Sequence, residues 1–568
     1  MTANLSELIA VARGETPADL IFSNTQTVNV FSGEIELGSV AVYKGKIAGI
    51  GNYSESRKII DLNGKYLLPA LINGHTHIES SMLDIGQYAR AVVPRGTLTV
   101  ITDLHELTNV CGLDAVDYVL SAAKKLPLDL FLMAPSCIPA TNMETSGANI
   151  TAKELQQVMR RKNAIGLGEM MNFPGVIFKD ANVLDKIGLY RDKLIDGHAP
   201  NLTGNDLNAY ISAGIYSDHE SVTLAEAKEK LMRGMHIMIR EGSSEKNLQE
   251  LLPLVTDKTY KRCMFVVDDR SCFDLLNDGD IDAVVRKAIR LGLDPIRAIQ
   301  LATINPAEYF GLKRIGAIAP GYIANLITVN NLSDFDIDMV FYQGRNVAKK
   351  GKALFDIKQP AAKSLTDTIR IKPFDVSDLK LKSKGEDSLV IEIVPDQIVT
   401  KMKTETVQTK DGYICTDTKR DLLKLVVIER HRASGNIGKG LIKGLGLKKG
   451  ALATSVAHDS HNIIAAGTND EDIYAAVKEI EKLQGGIAVA QNGKVLGSLQ
   501  LSIGGLMSVE QLETVAEKLQ NLKKIAAELG STLADPFATL SFMALPVIPE
   551  LRLTDMGLVD VTRFKLVE

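Results

Sequence analysis
Short apolar runs recur along the first half of this chain, and each ends where polar or Gly-rich residues begin. The runs end at His75, Asp103, Ala134, Glu169, His198, His219, Arg240 and Asp268. They lie roughly 20 to 35 residues apart, the length of one strand-plus-helix unit in a parallel barrel. Thr97-Leu-Thr-Val-Ile-Thr102 and Leu128-Asp-Leu-Phe-Leu-Met133 are largely continuous in apolar residues, as strands buried on both faces are. Helical segments fit between the runs, for example Leu224 to Arg233. The pattern predicts an α/β chain built on a (β/α)8 TIM-like barrel, a fold that gathers its chemistry at the C-terminal ends of its strands.

The flanks read differently. Leu20-Ile-Phe22, Val28-Asn-Val30 and Val40-Ala-Val-Tyr43 alternate like strands, and Lys44-Gly45 forms a turn before Lys46-Ile-Ala-Gly-Ile50. A matching set, Asn325-Leu-Ile-Thr-Val329 and Met339-Val-Phe-Tyr342 with Val347, follows the barrel. Neither set has enough apolar surface to stand alone, so the two are expected to pair into one β-sandwich that clasps the barrel. Lys372 to Lys384 is polar and Lys-rich, the texture of a linker. Strands at Ser388 to Val394 and Leu422 to Ile428, glycines from Gly435 to Gly450, and helical patterns at Glu471 to Leu483 and Val509 to Leu529 then describe a C-terminal α+β domain. The expected organisation is residues 1–68 and 313–370 for the sandwich, 69–312 for the barrel and 371–568 for the last domain.

Composition excludes several classes. The net charge is -4 with no long basic run, which argues against nucleic-acid or membrane-surface partners. No run reaches the ~18 apolar residues of a membrane span, and Met1 to Leu20 reads as a short amphipathic helix rather than a signal peptide. Cys111, Cys137, Cys263, Cys272 and Cys415 form no Cys-x-x-Cys pair. That points to reduced thiols in a cytoplasm, and excludes a thiolate zinc site and the mononuclear His/Cys zinc deaminases.

The strand ends carry a candidate metal set. His75 and His77 are spaced i, i+2, which turns both imidazoles to one face of a strand. His198, His219, Glu169 and Asp268 end later runs, so four of the nine histidines lie at strand ends. Imidazole and carboxylate donors without thiolates suit manganese, iron(II) or zinc. Two ions need a bridging carboxylate, for which Glu169 leads and Glu106, in Asp103-Leu-His-Glu106, is second. His458 and His461, in Thr454-Ser-Val-Ala-His-Asp-Ser-His-Asn462, lack a third ligand partner. They are expected to hold a turn or a domain contact, the alternative being a loop that covers the barrel mouth.

These residues resemble the amidohydrolase superfamily and, more closely, the bacterial adenine deaminases. The resemblance runs through Gly74-His-Thr-His-Ile-Glu-Ser-Ser-Met82, Gly166-Leu-Gly-Glu-Met-Met-Asn172, Asp196-Gly-His-Ala-Pro200, Ser217-Asp-His-Glu220 and Asp268-Asp-Arg270. It continues through Glu429-Arg-His431, Ala457-His-Asp-Ser-His-Asn462, Gly467-Thr-Asn-Asp470 and Ala544-Leu-Pro-Val-Ile-Pro-Glu550, covering nearly the whole chain. It implies hydrolysis of adenine to hypoxanthine and ammonia at a two-metal centre, usually manganese or iron, with a purine base and water as the partners and self-association as a family expectation. By the same resemblance Asp268 takes the water's proton and Glu169 delivers one to the purine ring; strand alternation, separately, should turn Asp269 away from the metals. Glu106 and Ser271 are expected at the substrate. The sequence departs from the family at Ser271 and Asp280, where histidines are usual, so the resemblance leaves room for another aminopurine. Two competing expectations remain: a cyclic-amide hydrolase, which usually carries a carboxylated Lys where Glu169 stands, and a catalytically inactive scaffold.

Overall fold
The computed structural model describes residues 2–357, 362–395 and 397–567. Its centre is a parallel barrel of strands Leu71–Asn73 (resumed at Thr76–His77), Thr97–Thr102, Asp129–Ala134, Ala164–Met170, Leu194–Gly197, Ser217–Asp218, His236–Arg240 and Cys263–Val266 (resumed at Asp268–Asp269). Neighbours pair in parallel in chain order. The ring closes where Asp268 and Asp269 pair with Thr76 and His77. Between the fifth and sixth strands the Tyr216 N–H reaches the Ile195 carbonyl at 3.4 Å, and the Ser217 hydroxyl accepts the Gly197 N–H at 3.2 Å.

The barrel strands are apolar on both faces because both faces are covered. In the second strand Leu98 and Val100 pack outward on the helices, whereas Ile101 joins Ile72, Met133, Met238 and Met264 in a separate inner cluster. Phe310, Leu312 and Ile315 close the floor of that cluster. The lumen is therefore a packed core, and the polar strand ends are left to the mouth. Local signals start the helices: Thr151 and Glu154 form a capping box ahead of Ala152–Met159, and the Thr223 hydroxyl caps Leu224–Met232.

The two flanks share one nine-stranded sheet. Tyr66–Pro69 pairs antiparallel with Leu326–Val329, joining the segment before the barrel to the segment after it. Phe22 and Phe341 lie three strands apart in the order, which would be roughly 14 Å in a flat sheet. Their ring centroids are 4.8 Å apart, so the sheet folds over on itself around Leu20, Val40, Ile47, Leu67 and Leu326. The sandwich is thus a single curled sheet rather than two separate ones.

The C-terminal domain is an eight-stranded sheet with helix Asp470–Leu483 on one face and Leu512–Glu528 on the other. The strand Leu422–Ile428 shows why: Leu423, Leu425 and Val427 pack with the main core, and Val426 and Ile428 pack under the first helix. The Lys-rich stretch expected as a linker is a strap on this domain. Ile369 and Leu379 are buried against the sheet, Phe374 meets Tyr474 at 5.3 Å, and the lysines face outward. The domain is docked on the barrel mouth by Ser508 N–H to the Met82 carbonyl at 2.8 Å and by Thr145 N–H to Asp555 at 2.9 Å. Among the described residues no helix is long and apolar enough to cross a membrane.

Candidate metal centre at the barrel mouth
Glu169 ends the fourth strand, and its two oxygens face different histidines. Oε1 is 3.2 Å from His77 Nε2; Oε2 is 2.7 Å from His198 Nδ1 and 3.1 Å from His219 Nε2. Asp268 faces the first pair of rings, with Oδ1 3.0 Å from His77 Nε2 and 3.5 Å from His75 Nε2. All six side chains are buried. Burial alone would raise the Glu169 carboxyl, yet His198, His219 and His77 hold it well below the usual carboxylate range. Asp268 behaves alike: burial opposes its charge, and the contacts from His75 and His77 prevail.

The donors fit a metal. An ion bound at ~2.1 Å in tetrahedral geometry sets its ligand atoms roughly 3.4 Å apart, close to the spacings here. His75 Nε2 is buried without a hydrogen-bond partner and points into the cluster. Such an orphan in a site this polar is explained by an ion. His105 joins the group as well, its Nδ1 3.0 Å from Asp103 and 3.6 Å from Glu169. The sequence pattern does not single it out, because the apolar run ends two residues earlier, at Asp103. Leu104, at φ 54, turns the chain left-handed and swings His105 back over the mouth.

Asp269 does not turn away from the site. Asp268 adopts a left-handed φ of 59, rare for a side-chain-bearing residue, and that breaks the alternation on which the expectation rested. Its N–H is given to the His75 carbonyl at 3.0 Å and its carbonyl accepts the Thr76 hydroxyl at 2.9 Å, so the surroundings hold the conformation. Asp269 consequently lines the same cavity and accepts a hydrogen bond from Ser80. Burial and the neighbouring Asp268 push its carboxyl up to about 6. On the other wall Arg240 extends its guanidinium between Glu220 and Asp268 Oδ2, the latter at 2.8 Å.

Glu106 lies away from the bridge position. It accepts from His458 Nδ1 at 3.1 Å and has His461 Nε2 at 3.9 Å. It is the barrel partner that the C-terminal histidines lacked in sequence, and it makes their loop a cover over the mouth. Ser271 and Asp280, expected at the rim, are elsewhere. The Ser271 hydroxyl accepts the Asp274 N–H at 3.2 Å and caps helix Cys272–Asn277, outside the cavity lining. Asp280 is fully buried, taking hydrogen bonds from Asn73 at 3.1 Å and from Thr97, at the start of the second strand, at 2.7 Å. Ser271→Ala is expected to lower thermal stability by about 1 kcal/mol through the lost cap. Its ammonia release should stay within roughly twofold of wild type; a specific loss of substrate affinity would return Ser271 to the pocket.

The inner cavity, of ≈ 30 Å³, has room for a water or two. It adjoins a ≈ 680 Å³ vestibule between the barrel and the C-terminal domain, a ligand-sized space. Both are lined by Glu220, Arg240 and Glu245 from the barrel and by Ile398, Phe542 and Ile548 from the C-terminal domain.

A parallel barrel with these donors at its mouth is the architecture of a divalent-metal amidohydrolase, and residues 66–347 match the Amidohydrolase family. Residues 397–565 match the Adenine deaminase C-terminal domain. An adenine deaminase of Dehalococcoides mccartyi is 63% identical over 567 residues, covering 100% of this chain and 99% of the relative. Adenine deaminase 2 of Carboxydothermus hydrogenoformans is 48% identical over 564 residues, covering 99% of each. The adenine deaminase of Halalkalibacterium halodurans is 44% identical over 577 residues, covering 100% of this chain and 98% of the relative. The chain belongs to the adenine deaminase family.

Proposed function
We infer that the chain hydrolyses adenine to hypoxanthine and ammonia, with two divalent ions, manganese in the first instance and iron(II) or zinc as alternatives, held by His75, His77, Glu169, His198, His219 and Asp268. The observation that carries this is the division of Glu169, one oxygen toward His77 and the other toward His198 and His219, as a carboxylate shared by two ions requires. Divalent ions held by these residues would supply hydroxide near neutral pH, by lowering the pKa of water.

The chain's own groups manage the protons. Asp268 has Oδ2 steadied by Arg240 and Oδ1 turned to the histidines, so its carboxylate is placed to accept the proton of the attacking water. Glu169, beside the same space, relays the proton that water sheds in forming hydroxide to the ring nitrogen next to the amino-bearing carbon as that carbon becomes tetrahedral. Asp268 then passes the proton it has accepted to the amino group, which leaves as ammonia as the carbonyl forms. The C-terminal domain roofs the cavity with Ile398, Phe542, Leu545 and Ile548, which exclude bulk water and suit the flat apolar face of a purine.

The test is ammonia release from adenine by manganese-loaded protein, alongside ring opening of a dihydropyrimidine. Ammonia without ring opening is expected. Ring opening without ammonia would replace this reading with the cyclic-amide hydrolase.

A further inference from the structure
We propose that the C-terminal domain contributes a purine-recognition residue to the barrel's active site: His458, whose Nε2 hydrogen-bonds a ring nitrogen of the base. This rests on the adenine-hydrolysing function inferred above and adds the residue that reads the base's edge.

The imidazole of His458 is held on two sides. Its Nδ1 donates to Glu106 at 3.1 Å, and its face lies against Phe542 with centroids 4.4 Å apart and planes 15° from parallel. The hydrogen bond fixes the ring's rotation and the stack fixes its plane. Nε2 is the one polar atom of the side chain left without a hydrogen bond among the described residues. It is not among the buried partnerless atoms, and His458 lines the inner cavity beside Asp269. A ring nitrogen buried in a site needs such a partner, because leaving it unpaired costs more than a hydrogen bond is worth. The cavity is water-sized as it stands, so an entering base must push back Ile398 and Ile548, which also face the vestibule. His458, pinned on both sides, keeps its place and is pre-organised for the contact.

A further metal ion between Glu106, His458 and His461 is the competing use of this cluster. The tautomer of His461 opposes it. Its Nδ1 accepts the Ala457 N–H at 3.2 Å, so the neutral ring carries its proton on Nε2, the atom facing Glu106, and a protonated nitrogen cannot ligate.

Two substitutions separate the two ends of the ring. His458→Asn keeps a group near Nδ1 that can bond Glu106 and removes the cavity contact. His458→Gln keeps a polar group near Nε2. With unchanged metal content, the Asn variant is expected to lose roughly 10- to 100-fold in kcat/KM for adenine, mostly through KM, and the Gln variant to recover much of it. Inhibition constants of the 3-, 7- and 9-deaza analogues of adenine then locate the contact. The analogue lacking the partner nitrogen should bind wild type and the Asn variant equally, while the others distinguish them. If all analogues weaken alike, or if metal per chain falls by one equivalent in the Asn variant, the proposal is overturned. Wild type inactive on adenine would instead overturn the inferred function, leaving the two failures distinguishable.

Discussion
Asp268→Asn is expected to keep most of the bound metal and to lose ~10²–10⁴-fold or more in turnover, the usual cost of removing a proton acceptor from water attack. Asparagine preserves the shape and can present one oxygen toward His75 and His77, so the rings stay in place. It cannot take a proton from water, and it weakens the pairing with Arg240. Asp269→Asn is the informative comparison because both carboxylates line one cavity. Asp269 is bonded to Ser80 and lies beside Glu106 rather than among the histidines, so its loss should disturb substrate affinity before turnover. Single-turnover ammonia release with metal analysis on both variants checks this. A dead Asp269→Asn beside an active Asp268→Asn would move the catalytic role by one residue.

The strand ends were legible in sequence because a barrel strand buried on both faces must be apolar along its length, and the first polar residue marks where it emerges at the mouth. Glu169 and Asp268 are themselves those first polar residues, and His75, His198 and His219 each come two residues after theirs, which are Asn73, Asp196 and Ser217. What the rule cannot see is backbone that leaves the strand conformation. The left-handed residues Leu104 and Asp268 re-aim His105 and Asp269, and only the closed barrel holds them there. Contacts between distant segments were equally hidden. Glu106 meets His458, and Phe22 meets Phe341, for reasons no local pattern records. Ser271 is a different kind of miss. Ser271-Cys-Phe-Asp274 carries a helix-capping signature that was present to be read, and it accounts for the serine without a substrate.

Glu169→Gln should remove metal as well as activity, and this separates it from both Asp268→Asn and Glu106→Gln. The glutamine amide keeps one oxygen and replaces the other with a nitrogen that carries hydrogens and has no lone pair for an ion. Whichever way it turns, either the His77 side or the His198 and His219 side loses its anionic donor. At least one of two ions should therefore be lost, with turnover falling ~10²–10⁴-fold or more as both hydroxide formation and the proton supply to the ring suffer. Glu106→Gln should retain both ions, since Glu106 contacts His458 and Ser80 rather than the central histidines. Metal per chain, measured after dialysis against a weak chelator, decides between them. A Glu169→Gln protein that holds two ions while Glu106→Gln sheds one would transfer the bridge to Glu106, and the assignment of the two carboxylates would have to be exchanged.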